Sequence, residues 1–493
     1  MATSKQTTTL PLGEIDRPLL LLYTILVVVG WLMIYAATYE PASPLGFFDL
    51  GHTAGKQLLF ILLCFTMMFV IMMVNWSFWR TFALIIYLIS MLIMPGTIFF
   101  GREINGANAW YQLGGFSIQP SELAKFGTCL AMAGYLSSTG VNLREWSSRL
   151  VAFGIFLLPV LIVVLQHDVG SALIFFSFML VLYREGLASI WYSLGFGAVA
   201  MVILGLLYEP PYVVAALILV LTFQLISRFR ERTRIWWALW FACIPLLIWW
   251  KTVFLWLLNA LHKDPLQFPD PSLWVLIPFG LLFLVTFLPN YLRKNNLVQS
   301  QLRTWTLLLG LSAGLIFGAN FACYTLLAPH QQQRIKIWLN PAEASANARG
   351  AAYNLLHSQM AIGSGGFFGK GYLNGNMTKL KYVPKQSTDY IFCTVGEEQG
   401  FIGVVAIIVL FTLLLYRITL LAERQRSNFS RIYAYGVAGI IFTHFIINVG
   451  MTMNLFPTIG IPLPFISYGG SSLIGFSLMI GVLLKLDSNR NLA

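Results

Sequence analysis

The stretch from His330 to Gly403 reads HQQQRIKIWLNPAEASANARGAAYNLLHSQMAIGSGGFFGKGYLNGNMTKLKYVPKQSTDYIFCTVGEEQGFIG. It is a polar interruption of some seventy residues in a chain that is apolar before and after it. A connection this long is usually either functional or disordered. Its apolar residues, such as Ile337, Trp338, Phe367 and Phe368, argue against disorder. We therefore expect a folded loop that packs on a membrane bundle and carries the functional residues.

The composition on either side of the loop indicates an integral membrane protein. Of 493 residues, 58% are hydrophobic and 10% are charged, whereas about 25% of residues are charged in a soluble domain. The segment 1–17 is polar and runs directly into the first apolar stretch, so we expect no cleaved signal peptide and a cytoplasmic N-terminus. The formal charge of +12 is interpreted as topology and headgroup contact rather than nucleic-acid binding.

The cysteine pattern excludes two classes of site. Five cysteines are scattered without CxxC or metal-ligand spacing. The sequence therefore predicts neither a disulfide framework nor a zinc site.

Apolar runs of about 20 residues mark membrane spans. On this criterion we predict an all-α, polytopic helical membrane protein with fourteen spans, near 18–37, 57–75, 82–100, 119–137, 149–165, 169–184, 190–208, 212–227, 235–258, 272–290, 304–327, 400–416, 432–452 and 467–485.

The basic residues orient these spans. With the N-terminus in the cytoplasm, the arginine-rich connections, for example Arg228–Arg234 and Arg417–Arg431, all fall on the cytoplasmic side. This is the positive-inside pattern, and it predicts cytoplasmic termini and an outer location for the long loop. The predicted organisation is a membrane bundle at 1–185, additional membrane segments at 186–300, a span at 301–327, the loop at 328–400 and a second bundle at 401–493.

Three ionisable residues at membrane depth are candidates for a polar cavity. Glu122 and Lys125 lie three residues apart after Pro120, and hence on one helix face. Such groups face a cavity or each other, so a structural ion pair is the alternative. Asp168, in QHDVGSAL, either caps a helix or supports the same site.

The loop itself offers an anion-binding surface. Its bases are Arg334, Lys336, Lys370, Lys379, Lys381 and Lys385. They flank the glycines at 363–366, whose successive amides could cradle a phosphate. Solvated charge and a plain glycine turn are the alternatives.

A second break in the helical pattern precedes the last span. The segment 453–472, MNLFPTIGIPLPFISYGGSS, contains three prolines and cannot form one continuous helix. Non-helical backbone near the membrane is buried in protein or lines a water-filled cavity, and an extracellular turn is the alternative.

Together these segments resemble the SEDS family (shape, elongation, division and sporulation), and within it the RodA branch. Five blocks carry the likeness: NGANAWYQLGGFSIQPSELAK, QHDVGSAL, QRIKIWLNP, AIGSGGFFGKGYLNG with STDYIFCTVGEEQGFIG, and FPTIGIPLPFISYGGSSL. Each block is weak alone, and their order and composition together are specific.

The resemblance implies a peptidoglycan glycosyltransferase that polymerises lipid II on the outer face of the bacterial cytoplasmic membrane during elongation. Undecaprenyl pyrophosphate leaves, a carboxylate accepts the proton of the acceptor sugar, and bases or a divalent cation (Mg or Mn) stabilise the diphosphate. The implied partner is a class B penicillin-binding protein, the transpeptidase. The family usually has about ten spans, so four segments within 190–290 are additional; we assign them no function.

The chain departs from the family at the expected base. Asn347 stands where a DPxGxGY-like segment has aspartate, and an amide is not a carboxylate base. Three interpretations remain: Glu343 substitutes, another acid such as Asp389 or Asp168 does, or transferase activity is lost. We favour Glu343. Lys385 and Ser387 also replace the acid and histidine of a PExHTD-like segment.

The candidate residues fall into two groups. Candidate catalytic residues are Glu343, Asn347, Glu122, Lys125 and Asp168, and candidate substrate contacts are Arg334, Lys336, Ser358, Gly365, Lys370, Lys379 and Asp389. Two other functions remain as alternatives: a lipid II flippase, since intramembrane charges and broken helices also mark transport pathways, and a non-catalytic scaffold that recruits a penicillin-binding protein.

Overall fold

Long apolar helices make up most of the chain in the computed structural model. The structure describes residues 15–40, 46, 48–49, 51–104, 106–113, 116–228, 233–250, 252–254, 256, 272–292, 296–327, 329–340 and 351–491. Within these ranges, ten helices are long and apolar enough to cross a membrane, and 169–184 and 273–288 are shorter apolar helical segments. The helical membrane-protein fold is therefore confirmed, while the count of fourteen spans stays a prediction.

The chain divides into two compact units, one formed by Met1–Ala188 with Arg334–Ala493 and the other by Ser189–Gln333. The first unit opens with α1 (Arg17–Thr38), α2 (Thr53–Met73), α3 (Trp76–Thr81) and α4 (Ala83–Phe100). Asp16 caps α1, because its Oδ1 accepts a hydrogen bond from the Leu19 amide at 2.9 Å.

A small β-sheet follows, which the all-α prediction missed. It consists of β1 (Arg102–Ile104), β2 (Ala107–Leu113) and β3 (Phe116–Ile118), paired antiparallel in that order. Tyr111 lies opposite Ile118 in the register. The strands are so short that their alternation carries little signal beside the helical periodicity on either side.

Helices resume immediately after the sheet. They are α5 (Pro120–Leu136), α6 (Trp146–Leu165), α7 (Val169–Phe175) and α8 (Phe178–Arg184). Pro120 opens α5, as the sequence predicted, because the first helical position needs no amide hydrogen. The predicted span at 169–184 is interrupted between α7 and α8.

The second unit has a hydrophobic core of its own. Its helices are α9 (Ile190–Leu207), α10 (Pro210–Arg228), α11 (Thr233–Ile248), α12 (Leu276–Leu292) and α13 (Asn296–Phe321), with a wider helical turn at Ala322–Leu326. Buried Val214, Phe279 and Ile316 join α10, α12 and α13 in one cluster. This unit extends beyond the predicted insertion, which ends at residue 300.

The described part of the long loop (328–400) is largely helical. It contains α14 (Pro329–Leu339), α15 (Ala351–Ser364) and α16 (Asn376–Lys379), and then α17 (Ile391–Glu423) begins inside the predicted loop. Gly400 interrupts α17 with φ 65° and ψ −161°, so a short helix that belongs to the loop precedes the membrane-spanning part. The predicted boundary at residue 400 coincides with this kink.

Two helices close the bundle, α18 (Asn428–Thr452) and α19 (Gly470–Ser488). They lie at the centre of the bundle, since 72% and 78% of the residues in their most apolar 18-residue stretches are buried. A Cβ atom at Gly475 would lie 3.3 Å from Glu122 Cβ, which shows how closely α19 approaches α5. In a membrane, such close packing replaces the hydrophobic effect as the force between helices.

Candidate active site

A polar cavity lies where the long loop meets α18 and the proline-rich break, the segment 453–472. The space between its walls, counted together with the open solvent at its mouth, is about 310 Å³. The lining combines charged, polar and small residues: Arg334, Asn354, Lys385, Asp389, Tyr390, Met451, Thr458, Ile459 and Gly460. The lining therefore comes from α14 and α15, from the turn before α17, and from the end of α18 with the break that follows it.

The turn that carries Asp389 is tied down on two sides. The Asn448 amide donates to the Asp389 carbonyl at 2.8 Å, and Ser467 Oγ donates to the Thr388 carbonyl at 2.5 Å. The Tyr468 amide donates to the Ser387 carbonyl at 2.9 Å. These bonds hold the Asp389 backbone against the break, so its carboxylate has a defined place in the cavity.

Burial and neighbouring charges set the pKa of the acid in this cavity. Burial raises the pKa of the Asp389 carboxyl above its usual 3.8; Lys385 and Arg334 oppose this rise, and the Asp168 charge adds to it. Burial likewise lowers the pKa of the Lys385 ammonium. The Arg334 charge lowers this pKa further, whereas the Asp389 charge opposes the decrease. A carboxylate whose pKa is raised is a stronger proton acceptor than an exposed aspartate.

Asp168 caps a helix at the edge of this region. Its Oδ1 accepts from the Ser171 amide at 3.0 Å, and its Oδ2 accepts from Ser171 Oγ and Gln119 Nε2, both at 2.7 Å. The first turn of α7, directly after Asp168, approaches the cavity lining, since a Cβ atom at Gly170 would lie 2.9 Å from Ile459 Cγ2. Asp168 is thus a helix cap and also close enough to act on the charge of Asp389.

Glu122 and Lys125 do not line the cavity. Lys125 Nζ lies 2.7 Å from Glu122 Oε2, and the two side chains are 0% and 2% exposed. Lys125 Nζ also lies 2.8 Å from His444 Nε2, and His444 Nδ1 lies 3.2 Å from the Pro462 carbonyl oxygen. This geometry is that of a structural ion pair, the alternative to a cavity site. Through His444, the pair connects α5 to α18 and to the break.

The amides at the start of α16, after the glycines at 363–366, already bind an anion from their own chain. The Met377 and Thr378 amides donate to the Glu397 carboxylate, each at 2.9 Å. Lys370, predicted to contact substrate, forms an ion pair with the fully buried Glu397 at 2.7 Å. Gly365 packs against α17, since a Cβ atom there would lie 2.0 Å from the Gly396 carbonyl oxygen. This side of Gly365 therefore has no room for a ligand.

The other candidates are dispersed. Ser358 is fully buried, so it is inaccessible to a ligand in this cavity. Lys336 is exposed and Lys379 half-buried, and neither lines the cavity. Glu343 and Asn347 lie outside the described residues. The segment that contains them connects α14, which provides Arg334, to α15, which provides Asn354.

Several residues of the site were missed or undervalued from the sequence. Lys385 was counted among the bases of the loop but was not proposed as a substrate contact, and Asn354, Asn448 and Thr458 were not singled out. The signal for Asn448 was an amide inside an apolar helix, because a buried amide needs hydrogen-bond partners.

The cavity does not fit a divalent cation held by the protein. Its described lining provides Asp389 as a carboxylate but also two cationic side chains, Arg334 and Lys385. In the described ranges, no group of three or more His, Cys, Asp or Glu residues has the spacing of a metal site. Arg334 and Lys385 are the residues placed to balance negative charge on a ligand.

The chain is similar to known proteins over nearly its whole length. A family model described as cell cycle protein, grouping FtsW, RodA and SpoVE, matches residues 17–239 and 208–492. The chain is similar to peptidoglycan glycosyltransferase RodA of Treponema pallidum, with 29% identity over 97% of this chain and 98% of the relative. It is also similar to peptidoglycan glycosyltransferase MrdB of Escherichia coli, with 36% identity over 34% of this chain and 45% of the relative.

Solved structures show the same fold. A chain from a peptidoglycan synthase complex that coordinates polymerization and crosslinking aligns with a TM-score of 0.60 and 22% identity, over 97% of this chain and 99% of that one. The rod shape-determining protein RodA of Thermus thermophilus aligns with a TM-score of 0.53 and 21% identity, over 97% and 98%.

Proposed function

Because the chain belongs to the cell cycle protein family of FtsW, RodA and SpoVE, we propose that it is a peptidoglycan glycosyltransferase that polymerises lipid II on the outer face of the bacterial cytoplasmic membrane. The observation that carries the proposal is the cavity in which Asp389 lies together with Arg334 and Lys385. A carboxylate beside two cations matches a reaction that needs both a base and charge stabilisation of a diphosphate.

In the proposed reaction, the 4-hydroxyl of the acceptor sugar attacks the anomeric carbon of the donor strand. The bond from that carbon to the diphosphate oxygen breaks, and undecaprenyl pyrophosphate leaves with the bonding electrons. The Asp389 carboxylate accepts the hydroxyl proton, and Arg334 and Lys385 stabilise the departing diphosphate. Glu343, favoured from the sequence, is the alternative base.

The orientation of the termini is also a proposal. Arg424 contacts both Asp16, just before α1, and Asp487, near the end of α19. This shared contact supports placing both ends of the chain on one side of the membrane, and the arginine-rich connections favour the cytoplasmic side. The similarity to a chain of a synthase complex supports a class B penicillin-binding protein as partner.

Polymerisation of labelled lipid II by the purified protein in detergent tests the function. We expect wild type to form polymer, Asp389→Asn to lose activity by about 100-fold or more, and the exposed-site control Glu103→Gln to match wild type. If Glu343→Gln abolishes activity while Asp389→Asn retains it, the base is Glu343. Translocation in vesicles without polymer would indicate a flippase, and no polymer with or without the partner would indicate a scaffold.

A further inference from the structure

One buried side chain connects the two segments that face each other across the candidate cavity. Asn448, near the C-terminal end of α18, is 0% exposed. Its Nδ2 donates to the Asp389 carbonyl at 2.8 Å and to the Ile461 carbonyl at 2.7 Å. Both partners are acceptors, so only the NH₂ end of the amide satisfies them.

These two bonds set the distance between the acid and the opposite wall. Ile461 directly follows Gly460, which lines the cavity. A Cβ atom at Gly460 would lie 3.0 Å from Asp389 Oδ2, so the carboxylate rests against this glycine. A displacement of either carbonyl from Asn448 would move the carboxylate relative to the wall it touches.

The helix that carries Asn448 is also held one turn earlier, by His444. His444 contacts the next carbonyl of the break, that of Pro462, at 3.2 Å and Lys125 at 2.8 Å. Since the Lys125 ammonium only donates, His444 Nε2 accepts and Nδ1 carries the hydrogen that bonds Pro462. The buried Glu122–Lys125 pair thus holds the helix on which Asn448 lies.

From this geometry we infer that Asn448 is a positioning residue, which holds the Asp389 carboxylate at its place in the cavity by bridging the two facing segments. The inference rests on the proposed transferase function for its catalytic consequence. Its structural consequence, joint stabilisation of 385–390 and 458–463, does not depend on that function.

The test compares three variants of the full-length protein. Asn448→Leu keeps the approximate volume and removes both donors. Asn448→Ser keeps a small polar group that is too short to span two carbonyls, and it serves if the leucine variant fails to fold. Thr452→Val is the matched control, because Thr452 is buried one turn further along α18 and, among the residues that the structure describes, its hydroxyl bonds only to Val449 of its own helix.

Two readouts are measured on each variant, the kinetics of lipid II polymerisation and hydrogen exchange by mass spectrometry. We expect both Asn448 variants to lower kcat by about tenfold or more, with a smaller change in KM, because misplacement of about 1 Å at a reacting group is costly. Exchange should rise in 385–390 and 458–463 together. Thr452→Val should change neither readout.

The outcomes separate this inference from the function on which it rests. If wild type polymerises lipid II and the Asn448 variants match it in kcat and exchange, the inference is overturned alone. If wild type fails to polymerise, the proposed function and the catalytic role of Asn448 fall together. Unchanged exchange in either segment also overturns the bridge, whatever the activity.

Discussion

At the residue scale, the pair of Asp389 and Lys385 governs how the site responds to pH. The base must be ionised, so activity should fall as pH decreases through the raised pKa of Asp389. The Lys385 charge favours the ionised carboxylate. We expect Lys385→Ala to raise that pKa further and to move the acid limb of the kcat profile to higher pH. The half-buried Lys379, changed to Ala, is the control that should leave the limb in place.

The same carboxyl should reduce stability at neutral pH. A carboxyl whose pKa is raised in the folded state adds stability below its unfolded value of 3.8 and loses it as pH rises through the folded value. Asp389→Asn should therefore raise the unfolding temperature in detergent at pH 7 and give no gain below pH 3.8. Glu103→Gln should change nothing. A lower unfolding temperature for Asp389→Asn at pH 7 would contradict the argument.

At the element scale, the kink at Gly400 holds the glycine-containing turn at 366–369 of the long loop against α17. The Phe401 amide donates to the Gly366 carbonyl at 2.9 Å, and a Cβ at Gly400 would lie 2.2 Å from the Gly369 nitrogen. With φ at 65°, alanine would be strained as well as crowded.

We expect Gly400→Ala to cost about 1 kcal/mol or more of unfolding free energy and to increase proteolysis within 366–375. Gly363→Ala is the control, because that glycine is helical and its added Cβ would meet nothing within 4 Å. Equal protease sensitivity of the two variants would show that the kink does not hold the loop.

At the scale of the whole molecule, one charged cluster joins the beginning, middle and end of the first unit. Asp16 accepts from Arg417 Nη2 at 2.6 Å and from Arg424 Nη2 at 3.0 Å, and Arg424 Nε donates to Asp487 at 2.7 Å. Burial by itself raises the pKa of Asp16, but its bonds to Arg417 and the Leu19 amide and the two arginine charges hold it below the usual 3.8.

We expect Asp16→Asn to lower the free energy of unfolding by about 1 to 2 kcal/mol, since both arginines are partly solvated. The lowered pKa means that the acid stabilises the fold above pH 3.8 and that this stabilisation is lost as pH falls through the folded value. The variant and wild type should therefore converge in acid. A pH-independent difference in unfolding temperature would argue against the ion pairs as its cause.

Much of the architecture was readable from local pattern. Apolar runs near 20 residues predicted the spans, and Pro120 marked the start of α5 because its effect on the backbone is local. The three strands between α4 and α5 were missed, since segments of three to seven residues carry little periodic signal. The helix beginning at Ile391 was also missed, because the glycines around it indicated a turn.

By itself, the sequence determined that this is a helical membrane protein with a long polar loop that carries acids and several bases, because hydrophobicity and charge are properties of composition. Only the tertiary structure decided which of those groups meet. It united Asp389, Arg334 and Lys385, bound Glu397 to the amides at the start of α16, and buried Glu122 with Lys125. These partners lie on separate helices or turns, and no sequence spacing specifies which carboxylate a buried amide or ammonium will reach until the helices have packed.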